Sequence, residues 1–225
     1  TINLLDEIGL DTAYKKLTEM GFKNIPKNLS IALGSFGISP LEFAKFYSMF
    51  PNGGEIVEPS LIKRIINYQN LEAVFEPERT FVTEPEQAYL MTDMMRTVVE
   101  RGTGQSARLN GVQVAGKTGT TNNNIDAWFC GFTPEVEVVV WYGNDDNTPM
   151  RKVEGGGRTA APVFKKFMES YMKEYPLKQK TFIEPEGVFH TAYEGLIEVY
   201  TKISPVPKQD AQDTLIKQDD EGLIF

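Results

Sequence analysis

The residues with the clearest chemical potential lie in the stretch VAGKTGTTNNNIDAWFCGF, residues 114–132. Lys117 stands there between two glycines, and threonine occupies three of the next four positions. Because side chains alternate along a strand, Thr118 and Thr120 would share one face, where their hydroxyls and the charge of Lys117 could bind one anionic group. The backbone N–H of Thr120 could stabilise a developing oxyanion. The stretch therefore predicts a site for an anionic ligand, beside a donor suited to acyl transfer.

The two glycines around the lysine are Gly116 and Gly119. Glycine in a strand lets another chain or a ligand approach the strand edge closely, which favours recognition by strand-like pairing. The alternative is a surface lysine on a glycine-rich edge strand, because the tripeptide Lys-Thr-Gly alone also arises by chance. Its setting in the sequence must decide between the two.

Helices around this stretch are indicated by apolar periodicity and by capping residues. They are predicted at about residues 1–8, 11–20, 40–51, 84–100 and 160–175. Asp11 is the predicted N-cap of the second helix, and Ser39 and Thr83 each begin a predicted capping box.

The strands are predicted close together, at residues 111–120, 126–132 and 136–143. The short connector between the last two makes them a hairpin, so the sheet is antiparallel. Helices first, then a meander, then a closing helix predict an α+β fold. A smaller hairpin is predicted within residues 61–75, turning at Gln69-Asn70.

The chain divides by composition into three predicted parts. Residues 1–175 form the main domain, residues 176–200 an extension with β character, and residues 201–225 a charged tail predicted to be disordered. The first residues already read as amphipathic helix, from which we expect the chain to be a piece of a longer protein.

Composition excludes several classes of function. A net charge of -8 argues against nucleic-acid partners, which require basic clusters. Cys130 is the only cysteine and lies in an apolar run, so it is predicted to be a buried structural thiol. The pairs Asp145-Asp146 and Asp219-Asp220 are read as solvated, and neither a metal nor another cofactor is expected. No apolar run reaches the roughly 18 residues of a membrane span.

Several blocks, in order, carry a family resemblance. Lys117-Thr118-Gly119 resembles the third motif of penicillin-binding proteins and serine β-lactamases, which combine Ser-x-x-Lys, Ser-x-Asn and Lys-Thr-Gly. With ALGSFGISPLEFAKFYSMFPNGG, GTGQSARL, DAWFCGFTPE, VWYGND and GGGRTAAPVFKKFM, the chain is similar to the transpeptidase domain of class A, bifunctional penicillin-binding proteins. The resemblance extends over residues 1–175 and more loosely to residue 200. It implies an antiparallel sheet with helices on both faces, incomplete in this chain.

The resemblance also implies roles and partners. Lys117 would bind the terminal carboxylate of a D-Ala-D-Ala stem peptide or of a β-lactam, and would make the nearby serine system more acidic. Thr118, Thr120 and Thr121 would assist it as hydroxyl donors, while the N–H of Thr120 forms half of the oxyanion hole. Gly116 and Gly119 would leave room for the acyl donor. The implied location is the periplasmic face of the inner membrane, with the anchor outside this chain.

The family's nucleophilic serine and its lysine are not recognisable here, so they are expected upstream and this chain alone is expected to be inactive. Ser60-Leu61-Ile62-Lys63 has the right letters but follows Pro59 in a β-like run, and Tyr68-Gln69-Asn70 reads as a turn. Ser170-Tyr171-Met172-Lys173 lies on the covering helix. His190 is the single histidine and has no nucleophile-elbow sequence to pair with.

Two other interpretations stay open. The chain could be a non-catalytic module of the same fold that senses peptidoglycan or β-lactams, or its Lys-Thr-Gly could be accidental. Since the family's sheet also takes strands from before the nucleophile, we further expect an exposed edge on the strand at residues 136–143.

Overall fold

A computed structural model of the protein describes residues 1–193 and 195–206. Its helices are α1 (Ile2–Ile8), α2 (Leu10–Glu19), α3 (Pro40–Tyr47), α4 (Pro85–Arg101) and α5 (Ala161–Glu174). Its strands are β1 (Glu55–Val57), β2 (Arg64–Ile66), β3 (Glu72–Val74), β4 (Arg79–Phe81), β5 (Ala115–Thr120), β6 (Asp126–Phe132), β7 (Glu137–Gly143), β8 (Val188–Tyr193) and β9 (Leu196–Thr201).

The central sheet has the order β5-β6-β7, with both pairs antiparallel. The tight connection from β6 to β7 is closed by the N–H of Thr133, which donates to the carbonyl of Val136 at 2.9 Å. Within the described residues β7 pairs with β6 only. This antiparallel meander is the one predicted from the sequence.

Helices cover both faces of this sheet, as predicted. On one face Phe129 of β6 meets Phe164 of α5 edge to face, with ring centres 5.0 Å apart. On the other face Trp128 meets Phe43 of α3 at 5.9 Å. Side chains alternate across β6, so neighbouring residues pack against different helices and the strand is buried from both sides.

Helix α4 lies beside β5 and contributes a side chain to each of two buried apolar clusters. Its Val99 is buried in the cluster that holds Phe129 and Phe164, whereas Met95 packs in the cluster with Phe132. The spacing of four residues keeps both side chains near one side of the helix. The end of α4 therefore lies fixed against the strand that carries Lys117.

The helix starts test the capping predictions individually. Ser39 caps α3, since its hydroxyl accepts from the N–H of Glu42 at 3.2 Å. The prediction for Thr83 is wrong: Pro85 takes the first helical position, which makes Glu84 the N-cap, and Glu84 makes no side-chain cap bond. Asp11 lies within the first turn of α2, and Gly9 precedes that helix instead.

Two predicted boundaries move. The first central strand begins at Ala115, because the positive φ of Gly111 turns the chain and Gln113 donates its N–H to the carbonyl of Lys180. Helix α3 ends at Tyr47, after which turns lead to Gly54.

A further hairpin, β8–β9, follows α5 in the region where an extension with β character is predicted. It is joined to α4 by Gln87, whose side-chain amide donates to the hydroxyl of Thr201 at 2.7 Å. The division into three parts stays a prediction, and residues 207–225 of the predicted tail lie outside the described residues. None of the helices described here is both long and apolar enough to cross a bilayer.

Candidate active site

Strand β5 passes from the core to the surface along its length. Ala115 and Gly116 are buried, whereas Lys117 and Thr120 are exposed. Its register with β6 places Gly116 opposite Gly131, Thr118 opposite Phe129 and Thr120 opposite Ala127. The buried half therefore anchors the strand, and the polar half is presented to solvent.

The backbone of β5 offers hydrogen-bonding groups on the edge away from β6. Thr121 donates its N–H to the carbonyl of Asp126 at 3.1 Å, which identifies these opposite residues as a hydrogen-bonded pair. Bonded and non-bonded pairs alternate in an antiparallel ladder, so the N–H and C=O of Thr118 and Thr120 point to the outer edge. The side chain of Lys117 extends to the same edge, where its Nζ donates to the carbonyl of Thr118 at 2.8 Å.

The hydroxyls of Thr118 and Thr120 lie on one face of β5, because the two residues alternate with Gly119. The Thr118 hydroxyl contacts the hydroxyl of Thr103 at 2.7 Å. The Thr120 hydroxyl accepts from the N–H of Gly156 at 3.1 Å. The structure thus brings together Lys117, Thr118 and Thr120 on adjoining parts of one strand, with an ammonium, two hydroxyls and outward backbone donors.

Two predicted site glycines serve the packing of the sheet itself. A Cβ on Gly116 would lie 2.7 Å from the carbonyl oxygen of Cys130 and 2.8 Å from Phe129 Cζ. A Cβ on Gly119 would lie 3.3 Å from Trp128 Cβ. The space beside Gly116 is therefore filled by the chain's own strand β6, and the room that both glycines would leave for a ligand stays a prediction.

Thr121 is the predicted site residue that the structure does not bring to the others. Its hydroxyl accepts from the N–H of Asp126 at 2.7 Å and also contacts the Asp126 carboxylate at 3.1 Å. The other oxygen of that carboxylate accepts from Trp141 Nε1 at 2.8 Å. Thr121 closes the turn between β5 and β6, so its hydroxyl is engaged away from Thr118 and Thr120.

The dismissed motifs stay outside this site. Ser60 lies in an irregular segment before β2 and donates its hydroxyl to the carbonyl of Ile62. Asn70 adopts φ 60° in the hairpin turn between β2 and β3. Ser170 and Lys173 are exposed on α5, and His190 pairs on the surface with Glu184 at 2.8 Å. Among the described residues, no hydrogen bond joins the serine to the lysine in either motif.

Cys130 is buried, as predicted, with 2% of its surface exposed. Burial, together with the nearby carboxyl of Glu137, raises the pKa of its thiol to about 12. This is the environment of a structural thiol. Among residues 1–193 and 195–206, moreover, no three His, Cys, Asp or Glu side chains gather in the manner of a metal site.

Two residues that contact the site were not recognised from the sequence. Thr103 lies between two glycines just after α4, and Gly156 belongs to a run of three glycines before α5. Both segments read from the sequence as helix breaks. A polar residue enclosed by glycines was the available signal, but only the fold shows which strand it meets.

Comparisons with known proteins agree on one family. A family model described as the penicillin binding protein transpeptidase domain matches residues 3–169. Penicillin-binding protein 1A of Neisseria gonorrhoeae is 35% identical over 245 residues, an alignment that covers 100% of this chain and 30% of that protein. The chain thus spans less than a third of the length of this curated relative.

Solved structures show the same fold. The crystal structure of penicillin-binding protein 1A from Haemophilus influenzae superposes with a TM-score of 0.77 at 21% identity, covering 92% of this chain and 39% of that one. Penicillin-binding protein A from M. tuberculosis, solved as an imipenem acyl-enzyme complex, gives a TM-score of 0.60 at 22% identity, covering 75% and 44% respectively.

Proposed function

This chain belongs to the penicillin-binding protein transpeptidase family, and we propose that it forms the carboxylate-binding side of a serine D,D-transpeptidase. The observation that carries the proposal is the exposed part of β5, where the Lys117 ammonium lies at the outer edge and the hydroxyls of Thr118 and Thr120 lie on one adjoining face. A stem peptide that ends in D-Ala-D-Ala carries a terminal carboxylate, and so does penicillin. Both substrates therefore match the charge and the donors of this edge.

The reaction assigns each group a part. A serine attacks the D-Ala-D-Ala carbonyl, D-alanine leaves, and the amine of a second stem peptide resolves the acyl-enzyme. Lys117, Thr118 and Thr120 hold the carboxylate, while the outward N–H of Thr120 donates to the oxyanion of the tetrahedral intermediate. The backbone of β5 lies alongside the bound peptide as a neighbouring strand would.

The nucleophile is proposed to lie outside this chain. No Ser-x-x-Lys of residues 1–193 and 195–206 lies on a helix facing β5, and this chain spans 30% of the N. gonorrhoeae relative's length. We place the serine, its lysine, a Ser-x-Asn motif, a glycosyltransferase domain and a membrane anchor in the remainder of a longer protein on the periplasmic face of the inner membrane. Residues 1–225 alone are then inactive.

Intact-mass spectrometry with excess benzylpenicillin tests this function. The full-length protein that carries this chain should gain one penicilloyl group, on a serine outside residues 1–225, whereas residues 1–225 alone should gain none. A penicilloyl group on Ser60 or Ser170 would refute the split site. Reversible penicillin binding by the full-length protein without any adduct would favour a sensing module instead.

A variant links the reaction to β5. Lys117→Ala in the full-length protein should slow acylation about a hundredfold, as expected for the loss of a charged hydrogen-bond partner. Lys166→Ala, which removes an exposed lysine from α5, is the matched control and should react at the wild-type rate. Equal rates for the two variants would remove Lys117 from the site.

A further inference from the structure

Each of the two hydroxyls on β5 contacts a group from another segment of the chain, and for one of them the direction of the hydrogen bond is unambiguous. The N–H of Gly156 can only donate, so the Thr120 hydroxyl is the acceptor in their 3.1 Å contact. A hydroxyl has one proton and two lone pairs, so the proton of Thr120 stays available for another acceptor. Thr120 is thereby left as a donor toward an anion.

The contact between Thr103 and Thr118 also allows the Thr118 hydroxyl to act as a donor toward an anion. Either hydroxyl could donate across the 2.7 Å separation between Thr103 Oγ1 and Thr118 Oγ1. If Thr118 donates to a substrate carboxylate, its single proton is used there, and Thr103 must supply the proton between the two threonines. We infer that Thr103 is a positioning residue, which orients the Thr118 hydroxyl as a donor to the substrate carboxylate; this inference rests on the proposed function.

Close packing fixes the position of Thr103. Gly102 and Gly104 both donate their N–H groups to the carbonyl of Val98, at 3.1 and 3.0 Å, which ties the turn to the end of α4. A Cβ on Gly102 would lie 2.9 Å from Val98 Cα, and one on Gly157 would lie 2.4 Å from the carbonyl oxygen of Thr103. Backbone thus confines the turn from both sides, and Thr103 has little freedom to move away from Thr118.

The same packing places Thr103 and Gly156, the partners of the two hydroxyls, in adjoining segments. The segment before α5 supplies Gly156 to Thr120, and its next residue, Gly157, lies against Thr103. Gly156 itself tolerates no side chain, because a Cβ there would lie 2.4 Å from the carbonyl oxygen of Trp128. Two chain segments that are remote in sequence therefore orient the two neighbouring hydroxyls of β5 together.

A double-mutant cycle in the full-length protein tests the role of Thr103, with the rate constant for acylation by a fluorescent penicillin as the readout. Thr103→Val, which keeps the shape and removes the hydroxyl, should slow acylation about tenfold, as expected for one lost hydrogen bond. In a Thr118→Val background the same change should have no further effect, because its target hydroxyl is gone. Thr103→Ser, which retains the hydroxyl, should restore most of the rate.

Thr92→Val is the matched control, because the buried hydroxyl of Thr92 donates to the carbonyl of Ala88 within α4 and, among the described residues, makes no hydrogen bond to β5. It should react at the wild-type rate. If Thr103→Val does not fold, as judged by its melting temperature, Thr103→Ala replaces it in the cycle.

The outcomes separate this inference from the function on which it rests. A wild-type protein that forms no adduct overturns the proposed function. A reactive wild-type protein with an equally reactive Thr103→Val variant overturns only the role of Thr103. Equal losses from Thr103→Val with and without the Thr118 hydroxyl also overturn it, because Thr103 would then act independently of Thr118.

Discussion

Glu137 allows a direct test of how burial in the central sheet affects the pKa of a carboxyl group and the stability of the protein. It begins β7 opposite Phe132, and its carboxyl oxygen Oε1 is buried without a hydrogen-bond partner among the described residues. Burial disfavours the charged form and raises the pKa of this carboxyl from its ordinary 4.5 to about 8. The folded protein therefore holds a proton there that the unfolded chain releases near pH 4.5.

The sign of the effect on stability follows from that difference. Between pH 4.5 and pH 8 the folded state binds more protons at Glu137 than the unfolded state does. The free energy of unfolding therefore falls as the pH rises through this window, by about 1.4 kcal/mol per pH unit, and is level above pH 8. The full difference is about 5 kcal/mol at high pH.

Glu137→Gln removes the titration while keeping the size of the side chain. At pH 5 the variant and the wild type should be nearly equally stable, because both carry a neutral group. Above pH 8 the variant should be more stable by about 3–5 kcal/mol, which corresponds to roughly 10 °C in melting temperature for a protein of this size. Glu76→Gln, at an exposed glutamate, is the control and should follow the wild-type profile.

Urea unfolding of each protein at one-unit steps from pH 5 to pH 9 measures this difference directly. Other titrating groups cancel, because only the difference between Glu137→Gln and wild type is compared. A difference that stays constant across these pH values would refute the reasoning, since it would mean that Glu137 is charged in the folded protein throughout.

Three further predictions concern packing, capping and thiol reactivity. Gly116→Ala should destabilise the protein by about 1–3 kcal/mol in thermal melts, because its Cβ has no room, whereas Gly37→Ala, where nothing lies within 4 Å, should be neutral or stabilising by about 0.5 kcal/mol. Ser39→Ala should cost about 1 kcal/mol in urea unfolding through loss of the α3 cap, and an unchanged midpoint would contradict that assignment. Cys130, with its thiol pKa raised to about 12, should react with a thiol reagent at pH 8 only as fast as the protein unfolds; a rate independent of added urea would contradict this.

The central sheet was predictable because its signals are local. Alternation and a tight connector identified β6 and β7, and Ser39 followed by proline identified the start of α3. The same local rule failed at Thr83, where proline two residues later moves the cap to Glu84. The sequence shows that Thr83, Glu84 and Pro85 follow one another. It does not show which of Thr83 and Glu84 the backbone will place at the N-cap position.

The purposes of the glycines were not predictable, because they depend on strand register and on distant segments. Gly116 lies opposite Gly131, a relation that exists only after β5 and β6 have paired. Gly157 lies against the carbonyl of Thr103, more than fifty residues earlier in the chain. The sequence pattern indicated close approach of another chain or a ligand at Gly116 and a loop at Gly157, whereas in the structure the small size of both residues serves the close packing of the chain itself.

The packing of β5 also explains how one strand can serve both the core and the proposed binding site. Its first residues, Ala115 and Gly116, have no space in which to move, and the strand emerges from them with Lys117, Thr118 and Thr120 already aligned. Changes in the buried half should therefore lower stability, whereas changes behind the exposed hydroxyls should lower reactivity at constant stability. Both variants can be measured for acylation rate and for free energy of unfolding. If Gly116→Ala and Thr103→Val each lowered the two quantities together, the strand would respond as a single unit, and the separation of its two halves would be wrong.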